Sequence, residues 1–207
     1  MSFYSRHVLP RLIDAAMRSD DITRIRQRIV PGASGVVLEI GVGSGLNLPF
    51  YAPAVTRLYG VDPSAELLAM ARPKTAALRF PVEFLHQEAD HLALPDAAID
   101  SIVMTWSLCS MRDPVPALRE MRRVLKPGGS FIFVEHGLSP DAGVRTWQNR
   151  FTPVWRRLAG GCHLNRKMDD LIRSCGFTMS ELSTGYLPGP KVATYMYDGR
   201  AIINSDQ

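Results

Sequence analysis

The feature that most constrains this chain is a short apolar run that leads directly into a turn with glycine at every second position. The run covers residues 36–40, and the glycines are Gly41, Gly43 and Gly45. Apolar runs of about four to eight residues are typical of buried strands. Glycine lets the backbone adopt positive φ and approach a ligand without a Cβ in the way. The pattern therefore predicts a buried strand followed by a nucleotide-binding turn.

The turn departs from the dinucleotide-binding pattern G-x-G-x-x-G, which disfavours NAD and FAD as ligands. Leu46 stands where the third glycine belongs, and Gly45 lies one residue early. Glu39, just before the turn, would repel a pyrophosphate seated there, because like charges repel. The same carboxylate suits a ligand that carries an ammonium or sulfonium group.

A second acidic residue, Asp62, ends the next apolar run. A carboxylate at that strand end can accept hydrogen bonds from both ribose hydroxyls, as it does in Rossmann domains. Asp90 follows a third run, where its carboxylate and the His91 amide can contact an adenine edge. Ordinary turns and helix caps are the alternative use of such residues. A strand before the glycines and an acid at the end of the next strand favour the ligand site.

The rest of the chain alternates between strand and helix patterns. Further strands are predicted at residues 58–61, 82–86, 101–105, 130–135, 177–183 and 192–197. Ser64, and Asp113 with Pro114 after it, are typical first residues of the intervening helices. This alternation predicts a parallel sheet covered on both faces. We interpret residues 1–30 as an N-terminal helical cap and residues 141–165 as a cap inserted after the fifth strand.

Length and charge limit the classes of function. The chain of 207 residues fits one domain, since ~100 to 200 residues is the usual domain length. The formal net charge is +4, and residues 1–30 and 141–170 each carry six basic against three acidic side chains. We interpret these segments as solvated helix faces, with an anionic substrate or a membrane surface as the alternative. Nucleic-acid binding is not expected, because no aromatic platform is interleaved with the basic residues.

The cysteines are few and their spacing carries no metal signal. Cys109, Cys162 and Cys175 form no C-x-x-C or paired Cys/His pattern. Neither a disulfide framework nor a metal site is therefore expected, and a reducing cytoplasm is the expected location. No stretch approaches the ~18 consecutive apolar residues of a membrane span.

Together these motifs resemble the class I S-adenosylmethionine-dependent methyltransferases of the type 11 branch. The resemblance implies a single methyltransferase domain over residues 1–207, with a Rossmann-like, doubly wound sheet of seven strands. Such a sheet is mostly parallel with an antiparallel last strand. The implied cofactor is S-adenosyl-L-methionine, and the implied cofactor-binding residues are Glu39, Gly41, Gly43, Gly45, Asp62, Pro63, Asp90, His91 and Thr105.

A narrower resemblance concerns the methyl acceptor. Residues 47–51, 108–110, 134–136 and 153–164 resemble the animal microsomal thiol methyltransferases of the methyltransferase-like group and similar bacterial sequences. This resemblance implies S-methylation of a small thiol. The chain lacks the hydrophobic N-terminal anchor of the animal enzymes, so membrane attachment is not expected to carry over. The glycine turn and residues 48–51 also resemble bacterial phosphatidylethanolamine N-methyltransferases, so N-methylation of an amine is the alternative.

His136, just beyond the fifth strand, is the candidate catalytic residue. A thiol of pKa ~8.5 is only a few per cent ionised at neutral pH, so a nearby base would help transfer. The ordinary pKa of histidine, ~6.5, suits that role, and a structural histidine bonding a loop is the alternative. We interpret Cys109 and Cys162 as small buried apolar residues, with contact to the substrate as the alternative. If the chain is not an enzyme, the alternative function is that of a sensor that binds the cofactor without catalysing methyl transfer.

Overall fold

The fold is a seven-stranded sheet flanked by helices, seen in a computed structural model that describes residues 9–203. The strands are β1 Gly35–Ile40, β2 Val55–Val61, β3 Val82–Leu85, β4 Ile99–Thr105, β5 Leu125–His136, β6 Thr178–Tyr186 and β7 Tyr195–Ile202. The helices are α1 Leu9–Ala16, α2 Asp20–Ile29, α3 Ala65–Ala71, α4 Pro114–Val124, α5 Ala142–Leu158, α6 Met168–Ser174 and α7 Lys191–Thr194.

The strand order β3-β2-β1-β4-β5-β7-β6 confirms the Rossmann-like, doubly wound prediction. Strands β1 to β5 pair in parallel, whereas β7 runs antiparallel to both β5 and β6. The order reverses between β1 and β4. In open sheets of this kind ligands bind beyond the carboxyl ends of the strands at such a reversal. The fold therefore places the candidate site at the ends of β1, β2 and β4.

Both faces of the central strands are buried, as the alternating pattern predicts. Leu38 and Ile102 pack into one apolar cluster with the aromatic side chains of Phe131 and Phe133. Val37 and Val103, their neighbours in the chain, pack into the cluster on the opposite face. Successive side chains of a strand point to opposite faces, so covering both faces requires continuous apolar runs.

Two predicted helix starts are confirmed by their capping hydrogen bonds. The Ser64 hydroxyl accepts a hydrogen bond from the Leu67 N–H at 3.2 Å. The Asp113 carboxylate accepts one from the Val115 N–H at 3.2 Å, and Pro114 is the first residue of α4. Each cap satisfies a backbone donor that the first helical turn cannot use.

Three local predictions differ from the structure. The strand predicted at 130–135 already begins at Leu125. The predicted strand at 192–197 begins only at Tyr195, because Pro190 starts the short helical turn α7 and the Leu187 N–H bonds the Thr194 carbonyl. The strand predicted at 177–183 continues to Tyr186. The start of β7 depends on the hydrogen bond between Leu187 and Thr194, which closes the loop and which a local apolar pattern does not encode.

Within the segment predicted as an inserted cap, residues 141–165, the structure has the helix α5, Ala142–Leu158. It exposes Trp147, Phe151, Val154 and Leu158, which are 48% to 62% accessible. The aromatic residues Trp147 and Phe151 therefore lie on the surface rather than in the core. No helix in the part of the chain that the structure describes is long and apolar enough to cross a membrane.

Candidate functional site

The glycine turn lies between β1 and a short 3₁₀ turn, and its three glycines have different roles. All three have positive φ, at 71° for Gly41, 54° for Gly43 and 76° for Gly45. A Cβ on Gly41 would collide with the Ser107 side chain, and one on Gly45 would collide with Leu48. A Cβ on Gly43 would meet only the Gly41 carbonyl oxygen, at 3.9 Å. Gly43 alone therefore borders open space that a ligand can occupy.

Asp62, at the end of β2, is bonded to the glycine turn. One of its carboxylate oxygens accepts a hydrogen bond from the Gly43 N–H at 2.9 Å, and the other accepts one from the Ser64 N–H at 2.8 Å. Burial raises the pKa of Asp62, while these two backbone bonds favour its charged form. Each oxygen keeps a second lone pair. The carboxylate is therefore held in one orientation and can still accept two hydroxyl protons.

Glu39, at the end of β1, lies in a buried polar network. Its carboxylate accepts hydrogen bonds from the Asn47 amide and the Tyr51 hydroxyl, each at 2.8 Å. Burial raises the pKa of Glu39 to about 7, opposed by these bonds and by the charge of Arg26. Asp62 is close enough to raise that pKa further. The structure thus brings Glu39 and Asp62 together, but Glu39 already bonds protein partners.

Thr105 joins the same network from the end of β4. Its hydroxyl accepts a hydrogen bond from the Asn47 amide at 3.0 Å. The next residue, Trp106, has a φ of 52°, and the indole N–H is buried without a hydrogen-bond partner. Backbone strain in a non-glycine residue costs about 1–3 kcal/mol and is concentrated at functional sites. The strained residue and its free donor mark this strand end as part of the site.

The remaining predicted cofactor residues lie at the rim. Pro63 follows Asp62, and its carbonyl oxygen lies 3.0 Å from His86 Nε2. Asp90 and His91 are exposed beyond β3, and the His91 carbonyl accepts a hydrogen bond from the Gln87 amide at 3.1 Å. Their contact with adenine stays a prediction.

The N-terminal helices close over the glycine turn. The Ser44 hydroxyl donates to the Asp14 carboxylate, and Lys74 Nζ donates to the Ser44 carbonyl at 2.5 Å. A cavity of about 290 Å³ lies between these elements. The residues lining it are Met17, Arg18, Thr23, Arg26, Gly45, Leu46, Pro49, Phe50 and Lys74. The part of the predicted cap before residue 9 lies outside the described residues.

Arg26 is a site residue that sequence reasoning missed. Its guanidinium is buried, donates to the Asn47 side-chain oxygen at 2.9 Å and to the Met17 carbonyl at 2.7 Å, and lies 4.8 Å from the centre of the Trp106 ring. Burial lowers its pKa to about 10, although Glu39 and Asp14 favour the cation. In the sequence it is one of many arginines on an amphipathic helix, and no local pattern distinguishes it.

His136, the candidate catalytic residue, has protein partners at both ring nitrogens. Nε2 bonds the Ala193 carbonyl oxygen, and Nδ1 lies 3.5 Å from Cys162 Sγ. Bonds from Cys109 and His136 lower the pKa of Cys162 to about 5. Burial opposes the charged form of His136, but its contact with Cys162 raises its pKa. The imidazole therefore contacts a thiol of the protein itself.

Glu135 positions the loop that follows β4. Its buried carboxylate accepts hydrogen bonds from three successive backbone N–H groups, those of Ser107, Leu108 and Cys109, at 2.8 to 3.0 Å. Burial raises the pKa of Glu135 to about 7, and the three donors oppose that rise. The loop carries Cys109, and its Ser107 lies against Gly41 of the glycine turn. Sequence reasoning assigned Glu135 no role, because its partners are backbone groups of another segment.

Comparison with known proteins identifies a domain family and relatives. Residues 38–133 match the family described as a methyltransferase domain. The thiol S-methyltransferase TMT1B of Homo sapiens is 36% identical over 142 residues, which are 66% of this chain and 58% of that protein. The phosphatidylethanolamine N-methyltransferase of Cereibacter sphaeroides is 38% identical over 109 residues, 52% of this chain and 53% of that protein. The chain thus spans less than two thirds of the length of these relatives.

A solved structure supports the same architecture. The S-adenosylmethionine-dependent methyltransferase from Methanosarcina mazei has a TM-score of 0.66 and 21% identity, over 82% of this chain and 92% of that chain. Likeness at this identity shows the fold, and one fold can carry several activities.

Proposed function

The chain belongs to the class I S-adenosylmethionine-dependent methyltransferases, and on that premise we propose that it methylates a small molecule, with a thiol as the favoured acceptor. The observation that carries methyl transfer is the bond between Gly43 and Asp62, which sets an oriented carboxylate beside the open part of the glycine turn. The similarity to thiol S-methyltransferases supports the choice of acceptor.

The residues present fit the cofactor. A Cβ on Gly43 would project into the open space that the ligand would occupy, and the buried Asp62 carboxylate suits the two ribose hydroxyls. The carboxylate of Glu39 would lie on the positively charged side of the ligand. At the rim, Asp90 and His91 would contact the adenine. When bound, S-adenosylmethionine supplies a methyl group on a positively charged sulfur.

The contribution of the chain is to hold both partners and exclude water. Orienting two reactants in an attack geometry can supply ~7 to 11 kcal/mol of the barrier. The strand ends around Glu39, Asp62 and Thr105 are buried, so their orientation is fixed before the ligand arrives. On the acceptor side, we place His136 and Cys162. Both ring nitrogens of His136 already contact protein atoms, the Ala193 carbonyl oxygen and Cys162 Sγ. His136 therefore influences the acceptor indirectly, through its contact with Cys162.

The second candidate is N-methylation of a phospholipid amine. The observation that favours it is the surface of α5, which exposes four large apolar residues and carries four arginines and no acidic residue. A groove of about 490 Å³ between Phe151 and Lys191 adjoins this surface. Such a face suits an anionic membrane. The similarity to the phosphatidylethanolamine N-methyltransferase points the same way over a shorter stretch.

The test is transfer of a labelled methyl group to a panel of thiols, amines and phenols. Methylation of a small thiol, and its loss in the Asp62→Ala variant, is the expected result. Methylation of an amine but of no thiol, together with vesicle binding that weakens as salt is added, would contradict the thiol acceptor and support a phospholipid amine as the acceptor. Cofactor binding without transfer to any acceptor would identify a sensor instead.

A further inference from the structure

Three side chains that are far apart in the sequence converge beyond the carboxyl ends of β4 and β5. Cys109 lies in the loop after β4, His136 is the last residue of β5, and Cys162 follows α5. One sulfur from each cysteine and a ring nitrogen of the histidine all lie within 4.8 Å of one another. Each is a soft or borderline ligand of the kind that thiophilic metal ions select.

The spacing fits a tetrahedral ion. Zinc binds sulfur at ~2.3 Å and imidazole nitrogen at ~2.0 to 2.1 Å, and a tetrahedral angle then separates the two ligand atoms by ~3.5 Å. The distance from His136 Nδ1 to Cys162 Sγ is 3.5 Å. A direct hydrogen bond between a thiol and an imidazole has a similar length, so this distance fits both a metal site and a simple Cys–His pair. The position of Cys109 distinguishes the two interpretations. The Cys109 sulfur lies within 4.8 Å of both the other ligand atoms, which an isolated Cys–His pair does not require.

The histidine is oriented as a metal ligand. Its Nε2 bonds the Ala193 carbonyl oxygen, which can only accept, so Nε2 carries the proton. Nδ1 is then the nitrogen with the free lone pair, and it lies 3.5 Å from Cys162 Sγ. Metal-binding histidines generally donate their other ring N–H to a carbonyl or carboxylate in this way.

Hydrogen bonds tie the segment of Cys109 to β5 and to the segment of Cys162. The Cys109 N–H donates to Glu135 at 3.0 Å, and the Cys109 carbonyl accepts from the His163 N–H at 2.8 Å. The second contact ties the loop after β4 to the segment of Cys162. Arg166 donates to the Cys109 carbonyl at 3.2 Å and places a positive charge beside the thiols. The ligands are therefore positioned by the fold before an ion binds.

We propose that Cys109, His136 and Cys162 form a binding site for a soft divalent cation, with Zn²⁺ as the expected ion. Two thiolates and a neutral imidazole balance the charge of a divalent ion. The described part of the chain supplies three ligands, and zinc sites with three protein ligands keep a fourth position for water or a substrate. The sequence spacing predicts no metal site, because each ligand comes from a different segment.

A small thiol fits that fourth position, and this step rests on the proposed function. The S–H bond of the thiol would break, its proton would pass to solvent, and the sulfur lone pair would bond the zinc. A thiol coordinated to zinc is held as the thiolate. The site would therefore supply the ionised acceptor that methyl transfer to sulfur needs at neutral pH.

The experiment is titration of the reduced, chelator-treated full chain with Co²⁺, a coloured substitute for Zn²⁺. We expect one equivalent to give thiolate-to-cobalt absorption that Zn²⁺ displaces. The Cys109→Ser and Cys162→Ser variants should lose this absorption. The Cys175→Ser variant is the matched control, since Cys175 is also buried but lies outside the cluster. This variant should keep the absorption. His136→Ala should weaken binding beyond the ~10- to 100-fold that loss of an outer hydrogen bond causes.

The proposal is overturned if the folded wild type gives no such absorption, or if Cys109 and Cys162 are found as a disulfide in reducing buffer. An unchanged cobalt spectrum on addition of a small thiol would overturn the fourth-ligand step. Failure of the proposed function is distinguishable, because cobalt binding needs no turnover. Metal binding without methyl transfer to any thiol would contradict the proposed function but support the metal site. Full methyl transfer by a chain that binds no metal would support the proposed function but contradict the metal site.

Discussion

The carboxylate of Asp62 accepts a hydrogen bond from the backbone N–H of Gly43 at 2.9 Å, so the end of β2 fixes the glycine turn that follows β1. The two segments meet because β1 and β2 pair in parallel with Ile40 opposite Val61. An acid and a glycine are thus parts of one rigid unit. Substitution of each residue can therefore separate its contribution to cofactor binding from its contribution to stability.

Asp62→Ala should weaken cofactor binding by about 1.5 to 3 kcal/mol, roughly 10- to 150-fold, because it removes charge-assisted hydrogen bonds. Calorimetric titration with S-adenosylmethionine and its demethylated product measures the loss. Asp100→Ala is the control, since Asp100 also bonds a strand backbone, the Val36 N–H at 2.8 Å, but at the opposite edge of the sheet. Equal losses of affinity in both variants would contradict the assignment of Asp62.

Gly43→Ala should weaken cofactor binding more than Gly128→Ala does. Both glycines have positive φ, 54° and 76°, and neither has a side chain within 4 Å of its added Cβ. Either substitution should therefore lower the free energy of unfolding by roughly 1–2 kcal/mol through backbone strain. Only the Gly43 methyl group enters the space assigned to the ligand. Normal affinity in a folded Gly43→Ala protein would place the ligand elsewhere.

Glu39 should make stability depend on pH. Burial raises its pKa from 4.5 in the unfolded chain to about 7 in the folded protein, so the folded state binds more protons between these values. The free energy of unfolding should fall as pH rises through this window, by about 3 kcal/mol, relative to a group without the shift. Denaturant unfolding of the wild type and Glu39→Gln at pH 5 and pH 8 measures this. A difference between the two proteins that is constant with pH would refute the prediction.

Arg26→Lys should destabilise the fold by roughly 1–3 kcal/mol, because an ammonium cannot reproduce the two directed bonds and the stacking on Trp106. Arg28→Lys is the control on the same helix. Arg28 is exposed and pairs with Asp198 at 2.9 Å, and exposed pairs contribute about 0–1 kcal/mol. Thermal unfolding compares the two variants. Similar losses would show that the buried network around Arg26 contributes little.

Much of the fold and part of the site could be predicted because their signals are local. The buried strand, the glycine turn and the caps at Ser64 and Asp113 each depend on a few adjacent residues. The alternation of strand and helix patterns then restricts the topology, since parallel neighbours need crossover helices. Asp62 could be placed beside the turn for the same reason, because parallel strands end at one edge.

The sequence by itself thus determined the sheet, its edge and the two acids that face the turn. Only the tertiary structure decided which glycine borders open space, that Arg26 supports Glu39 through Asn47, and that His136 contacts a cysteine. Those contacts join residues from segments that share no local pattern. Strand register and the return of the chain after α5 bring them together, and burial then sets their charge states, since desolvation acts only once the chain has folded.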